Sequence, residues 1–273
     1  MSFAPAAIEI EYPESDGMPM GETDLHRKWM NRICDLLSCR YRGQRVYVTS
    51  NVLVYYAKGS PARFVVPDNF VVKDCDPRER RVYKIWEEGK APDVAFEVTS
   101  ESTQREDTAF KPQRFARIGI KELFLYDPTS DYLLPPLQGF RLDEQGEYSP
   151  IAEDETGAIP SEELDLLLRL EDGRLVMYDR RTGQKLLTES ELERAAKESE
   201  RAAKESERAA KEAERAAKEA ERAAKEAERA AKEAERAARE AAEARAAEEA
   251  RLRRVAEAEL QKLREQLKRL EDS

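Results

Sequence analysis

Apolar residues recur at Leu25, Trp29, Ile33, Leu36 and Leu37, steps of three and four that gather on one side of a helix. A first helix is therefore expected over residues 22–37, with Thr23 or Asp24 available to cap it. The period then changes. Residues 45–56, 64–73 and 93–99 alternate or run apolar and are rich in Val, Tyr and Phe, side chains that fit a pleated, half-buried surface. Each is expected as a strand, and the charged stretch 74–90 between the last two as a partly helical surface segment. Residues 112–118 then predict a helix stopped by Gly119, and residues 122–126 a strand stopped by Asp127-Pro128. Strand, helix and strand in succession imply a parallel pair with a right-handed crossover. Pro112 disfavours helical geometry at the residue before it, which sets Lys111 just ahead of the helix.

Two hairpins follow, at 139–151 around Glu144-Gln145-Gly146 and at 174–187 around Arg181-Thr182-Gly183, with residues 164–170 between them; both are read as an antiparallel annex. Near Thr188 the pattern changes once more. Seven back-to-back heptads begin at Glu193-Arg194-Ala195-Ala196-Lys197-Glu198-Ser199, without Gly or Pro, and place Ala or Ser at 195, 199, 202, 206, 209 and 213. Alternating steps of four and three mark a coiled-coil seam, a weak one because the seam residues are small. Leu260, Leu263, Leu267 and Leu270 form a stronger seam near the end of the chain. The chain is thus divided into a loose leader (1–20), a core (21–150), a hairpin annex (151–188) and a helical coiled-coil tail (189–273), with self-association into a homo-oligomer expected through the tail.

Charge narrows the choice of partners. The chain carries a formal net charge of -10. Residues 189–273 hold 24 acidic and 22 basic side chains, a balance of -2, so the first 188 residues hold the remaining -8. A body of that sign has no broad basic surface to attract nucleic acid, and contact with it must be local. Cys34, Cys39 and Cys75 form no CxxC pair and His26 is the one histidine, which argues against a zinc site or a disulfide framework and for reduced thiols in the cytoplasm. No signal peptide or membrane span is read from the sequence.

The candidate chemistry lies in Pro92-Asp93-Val94-Ala95-Phe96-Glu97-Val98-Thr99-Ser100 and in Lys111, fourteen residues beyond Glu97. An ionised carboxylate inside an apolar strand is costly unless a cation or dense hydrogen bonding compensates it. A second acid, Asp68, has a similar setting within residues 64–72. Two strand-borne carboxylates and one lysine outline a divalent-metal hydrolase site. Asp93 shares the side-chain parity of Glu97 but stands four residues away, roughly 13 Å along a strand, too far to share one ion. It is expected as a supporting group or as the start of the strand.

These residues carry a resemblance. Pro67-Asp68, Glu97-x-Thr99, the segment from Lys111 to Phe115 and the string Ala116-Arg117-Ile118-Gly119-Ile120-Lys121-Glu122-Leu123-Phe124-Leu125-Tyr126-Asp127-Pro128 resemble the Uma-two family of putative restriction endonucleases, a branch of the PD-(D/E)XK nucleases. Glu22-Thr23-Asp24-Leu25-His26-Arg27-Lys28 and Tyr83-Lys84-Ile85-Trp86-Glu87-Glu88-Gly89 extend the resemblance, which runs from about residue 22 to about residue 150 and leaves out the tail. It implies an α/β, restriction-endonuclease-like core with a mixed central sheet. It further implies Mg2+ or Mn2+ held by Asp68 and Glu97, and a catalytic Lys111 whose amine takes over from the position of Thr99. His26 and Glu22, like Asp93, would support these groups. The implied substrate is nucleic acid, DNA ahead of RNA. The competing expectation is a non-catalytic scaffold that keeps the fold and assembles through its tail.

Overall fold

The computed structural model describes residues 11–15 and 23–271, with side chains through residue 264. Helix α1 (Asp24–Arg40) opens on Thr23, whose Oγ1 accepts the His26 N–H at 3.2 Å. Asp24 in its first turn and Arg40 in its last complement the helix dipole. The chain continues through β1 (Val46–Ser50), β2 (Val54–Tyr55), β3 (Phe64–Val65), β4 (Asn69–Lys73), β5 (Tyr83–Lys84), the short α2 (Ile85–Glu88) and β6 (Val94–Val98). A π-helical turn, Glu106–Phe110, runs into α3 (Lys111–Ile118), and β7 (Glu122–Tyr126), β8 (Leu137–Leu142) and β9 (Tyr148–Pro150) follow. Strands β10 (Ile159–Ser161), β11 (Leu166–Glu171) and β12 (Arg174–Asp179) precede the long helix α4 (Glu189–Glu271).

The main sheet has the order β1-β4-β6-β7-β8-β9 and is mixed: β6 and β7 are parallel and the other neighbours antiparallel. Every residue of β6 and β7 is buried, which is why both segments read as apolar runs and not as alternations. On one face Val94, Phe96, Val98, Phe124 and Tyr126 pack with Trp29, Met30, Ile33, Leu36 and Leu37 of α1, and with Leu166, Leu168 and Met177 of the β10-β11-β12 sheet. On the other, Phe70, Val72, Ala95, Leu123 and Leu125 meet Phe115 of α3, Ile120, and Val54, Val65 and Tyr83 of a small β3-β2-β5 sheet.

Several expectations are corrected. The stretch 45–56 is two strands in different sheets, broken at Asn51, whose φ of 54° is left-handed. The stretch 64–73 is likewise split, at Pro67. The hairpin predicted at 139–151 forms as β8 and β9 but belongs to the main sheet, where it extends the order beyond β7. The second hairpin turns at Asp172-Gly173, both with positive φ, and joins β11 to β12; around Arg181-Thr182-Gly183 there is one bridge, Tyr178 to Lys185. Lys111 is helical, at φ -62° and ψ -43°, because the preceding π-turn already sets its backbone. Pro112 occupies a first-turn position where a missing N–H costs nothing.

Gly139 lies opposite Phe124 in the sheet, and a Cβ there would stand 2.6 Å from Ile159 Cγ2 and 3.0 Å from Phe124 Cε1. Its missing side chain lets β10 close on β8. Gly139→Ala is expected to destabilise the protein by about 1–3 kcal/mol through overpacking. A urea titration reads this as a lower midpoint, and an unchanged midpoint would show that Ile159 yields freely.

By its internal contacts the chain divides into two compact units after Ala196. Helix α4 starts with a capping box: Thr188 N–H donates to Glu191 Oε2 at 2.9 Å, and Glu191 N–H donates to Thr188 Oγ1 at 3.4 Å. Within the first unit, Arg32 and Arg42 bind Glu191 and Glu189, both at 2.9 Å. Along the repeat, Lys204, Lys211, Lys218, Lys225 and Lys232 each reach the glutamate four residues earlier at 2.5–2.6 Å. Such pairs, with the acid on the N-terminal side, support a helix by a few tenths of a kcal/mol each.

Candidate active site

The antiparallel register of β4 with β6 pairs Asn69 with Phe96, and one step further it sets Asp68 opposite Glu97. Pro67 ends the small-sheet excursion just before this point. Asp68 is fixed through Oδ2, which accepts the Val98 N–H at 2.7 Å and stands 2.8 Å from Nε2 of His26 on the first turn of α1. Asn51 N–H donates to the Asp68 carbonyl at 3.1 Å, so the break between β1 and β2 also holds this acid in place.

Glu97 is fully buried. Its Oε2 accepts from Lys111 Nζ at 2.5 Å, while Oε1 has no hydrogen-bond partner among the described residues. Lys111 Nζ is also 3.0 Å from Oδ1 of Asp107, a second fully buried carboxylate. That contact is an ion pair, and the Thr103 side chain also favours the ionised form of Asp107. The π-turn brings Asp107 here: Lys111 N–H reaches back to Glu106 O across the wide turn, and Asp107 N–H donates to Thr103 O at 2.9 Å. Single π-turns concentrate at functional sites.

Burial pushes the Glu97 carboxyl well above its usual range; Lys111 pulls the other way, and the nearby Asp68 and Asp107 push it further up. Burial raises Asp107 as well, against Lys111. At Lys111 burial opposes the charge, but Glu97, Asp68 and Asp107 outweigh it and hold the ammonium protonated well above the ordinary lysine range. The two ends of the Glu97–Lys111 pair thus respond differently, with burial prevailing at the acid and surrounding carboxylates at the amine. Three carboxyl groups compete for one ammonium, and an additional cation would relieve that competition.

A cleft of about 210 Å³ reaches Asp68 and Lys111 of this cluster and is lined by His26, Asn51, Glu106 and Arg114 among others, while Glu97 and Asp107 lie buried behind it. A larger one, about 880 Å³, lies between α1 and β12, but none of its lining residues is a buried acid lacking a partner. The donor set at Asp68 and Glu97 is hard oxygen, which suits Mg2+ or Mn2+. The free Glu97 Oε1 is an acceptor already stripped of water, and both contacts of the Asp68 carboxylate are made through Oδ2. Among the described residues no three His, Cys, Asp or Glu side chains are grouped as a ready-made metal cage. The two carboxylates fit a hard divalent cation by the type of their donor atoms.

Of the residues proposed from the sequence, Asp68, Glu97, Lys111 and His26 are brought together. Asp93 is not. It is buried away from them, accepts the Lys73 N–H at 2.7 Å, and pairs with Lys90 at 2.8 Å and Lys121 at 3.0 Å. Burial works against its charge, but those partners hold its carboxyl below the usual range, so it serves as a structural ion-pair hub. Glu22 lies outside the described residues. Thr99, two residues after Glu97, is buried with its hydroxyl unpaired. Asp107 escaped the sequence reading because Gln104-Arg105-Glu106-Asp107 looks like a solvated loop. The one available signal was its spacing of four to Lys111.

The chain belongs to the Uma2 family, described as putative restriction endonuclease, whose match spans residues 5–175. Among solved structures it is similar to a putative nuclease belonging to DUF820 from Anabaena variabilis, at 17% identity and a TM-score of 0.39, over 57% of this chain and 78% of that one. No curated protein matches the chain. No helix among the described residues is long and apolar enough to cross a membrane.

Proposed function

We propose that the protein is a metal-dependent nuclease that hydrolyses phosphodiester bonds, with DNA ahead of RNA as substrate, and that its tail joins two or more copies. The observation that carries the first part is Glu97: fully buried, one oxygen on the Lys111 ammonium and the other unpaired, on a residue one register step beyond the Asn69–Phe96 pair and so beside Asp68 in the sheet. Asp68 and Glu97 would hold a hard cation, which when bound would supply charge stabilisation for the phosphate and activation of the attacking water. The chain's own residues do the rest. His26 and the Val98 N–H lock one oxygen of Asp68, so its carboxylate keeps a fixed direction. Lys111 presents a permanent ammonium where negative charge grows on the phosphate as water attacks. The three cysteines are free thiols, which suits a cytoplasmic setting.

Purified protein is tested on supercoiled and linear duplex DNA, single-stranded DNA and RNA, with Mg2+, with Mn2+ and with EDTA. Cleavage of at least one substrate that EDTA abolishes is the expected result. Failure on every substrate with either metal would overturn the reading and favour a scaffold of nuclease fold, for which Thr99 at the position two after Glu97 already speaks.

A further inference from the structure

Two fully buried carboxylates share the Lys111 ammonium, and the proposed chemistry so far uses only one of them. If Glu97 turns toward a cation, its hold on Lys111 weakens as its negative charge is drawn to the metal. An amine that is mostly buried then needs a second anion to stay at the site. Asp107 stands at that place, 3.0 Å from Nζ and four residues earlier on the same helical run. Its backbone N–H is tied to Thr103 O, and the Thr103 side chain joins Lys111 in favouring its charged form.

We infer that Asp107 is the positioning residue of the site: it holds the Lys111 ammonium in place when Glu97 is engaged by the cation, and is not itself a cation ligand. The inference rests on the proposed nuclease reading for its catalytic consequence only. Its geometric part concerns the pair Asp107 and Lys111 and stands without any substrate. The π-turn is then the device that delivers the acid, since an ordinary α-turn at this point would shift Asp107 by about 100° around the axis relative to the following helix.

The test is a double-mutant cycle on the full chain with Asp107→Asn, Lys111→Met and the double variant, because groups that act as a unit show non-additive losses. Three quantities are read: kcat on the substrate that the wild type cleaves, the Kd for Mn2+ by calorimetry, and the urea midpoint in EDTA. Asp107→Asn is expected to lower kcat by about 10–100-fold and to leave the Mn2+ Kd within about threefold, and it should lower kcat no further in the Lys111→Met background. The midpoints in EDTA should also be coupled, with the double variant more stable than the sum of the single losses. A loss of Mn2+ affinity beyond about tenfold in Asp107→Asn would show that the residue acts on cation binding and not only on Lys111, and would overturn the inference. So would multiplicative losses of kcat, or midpoints that simply add. If the wild type cleaves nothing, the nuclease reading fails while the Mn2+ and stability arms still decide the Asp107–Lys111 pairing.

Discussion

Glu97→Gln is expected to abolish measurable binding of Mg2+ and Mn2+ and to lower any phosphodiester cleavage on the order of a thousandfold or more, while the protein stays folded. The amide is nearly isosteric with the acid, so packing between β4, β6 and β7 is kept. What disappears is charge. A neutral amide oxygen opposite Asp68 leaves one carboxylate where the proposed site has two, and a hard cation that gives up water needs that charge in return. The stabilisation lost is several kcal/mol of transition-state charge neutralisation, which corresponds to the expected drop in rate. Deleting one member of a buried ion pair commonly costs about 3–5 kcal/mol because the other member is left uncompensated. Here that cost is softened, since Lys111 keeps Asp107 as a partner. Calorimetric titration, a cleavage assay and a thermal melt on the purified variant separate the outcomes. Wild-type cleavage by a folded Glu97→Gln protein would show that this carboxylate takes no part in the reaction.

The segments most legible in the sequence were those whose environment is uniform along their length. Strands β6 and β7 are buried on both faces and helix α1 on one, so apolar runs and a stripe of three and four sufficed to find them. The places that misled are those where the backbone changes direction within an apolar run. Asn51 and Pro67 divide what reads as two long strands into four short ones, because a β-rich stretch says nothing about which sheet each half joins. Asp172-Gly173 was a readable turn signal of the type that favours tight hairpins, and Arg181-Thr182-Gly183 competed with it. At the site, Asp68 and Glu97 stood out as acids inside apolar strands. Asp107 did not, because it is buried in a polar segment whose neighbours in sequence are mostly exposed. Lys111 was placed outside its helix by a sound bias against helical geometry before proline, a bias that the preceding turn overrides.

Removing the chain after Ala250 is expected to convert a dimer or higher oligomer into a monomer that keeps most of its helix. The two parts of α4 differ in what they offer a partner. Seam positions of the heptads carry Ala or Ser, which remove little apolar surface from water when two helices meet, whereas Leu252, Val255, Leu260 and Leu263 are 52–60% exposed in the single chain. Each such side chain is worth about 1.5–3 kcal/mol when fully buried, so a second copy aligned on this segment gains far more from it than from a comparable length of alanine seam. Leu267 and Leu270 lie beyond the residues whose side chains are described, and their three-and-four spacing continues the same pattern in sequence. Helix content has a separate origin: alanine propensity and the regular glutamate-to-lysine pairs act within one chain and survive the truncation. Light scattering on full-length and truncated protein at equal micromolar concentration, with circular dichroism on both, reads the two effects independently. A full-length protein that already scatters as a monomer would defeat self-association, and a truncated protein that remains a dimer would move the contact to the alanine seam or to the first 196 residues.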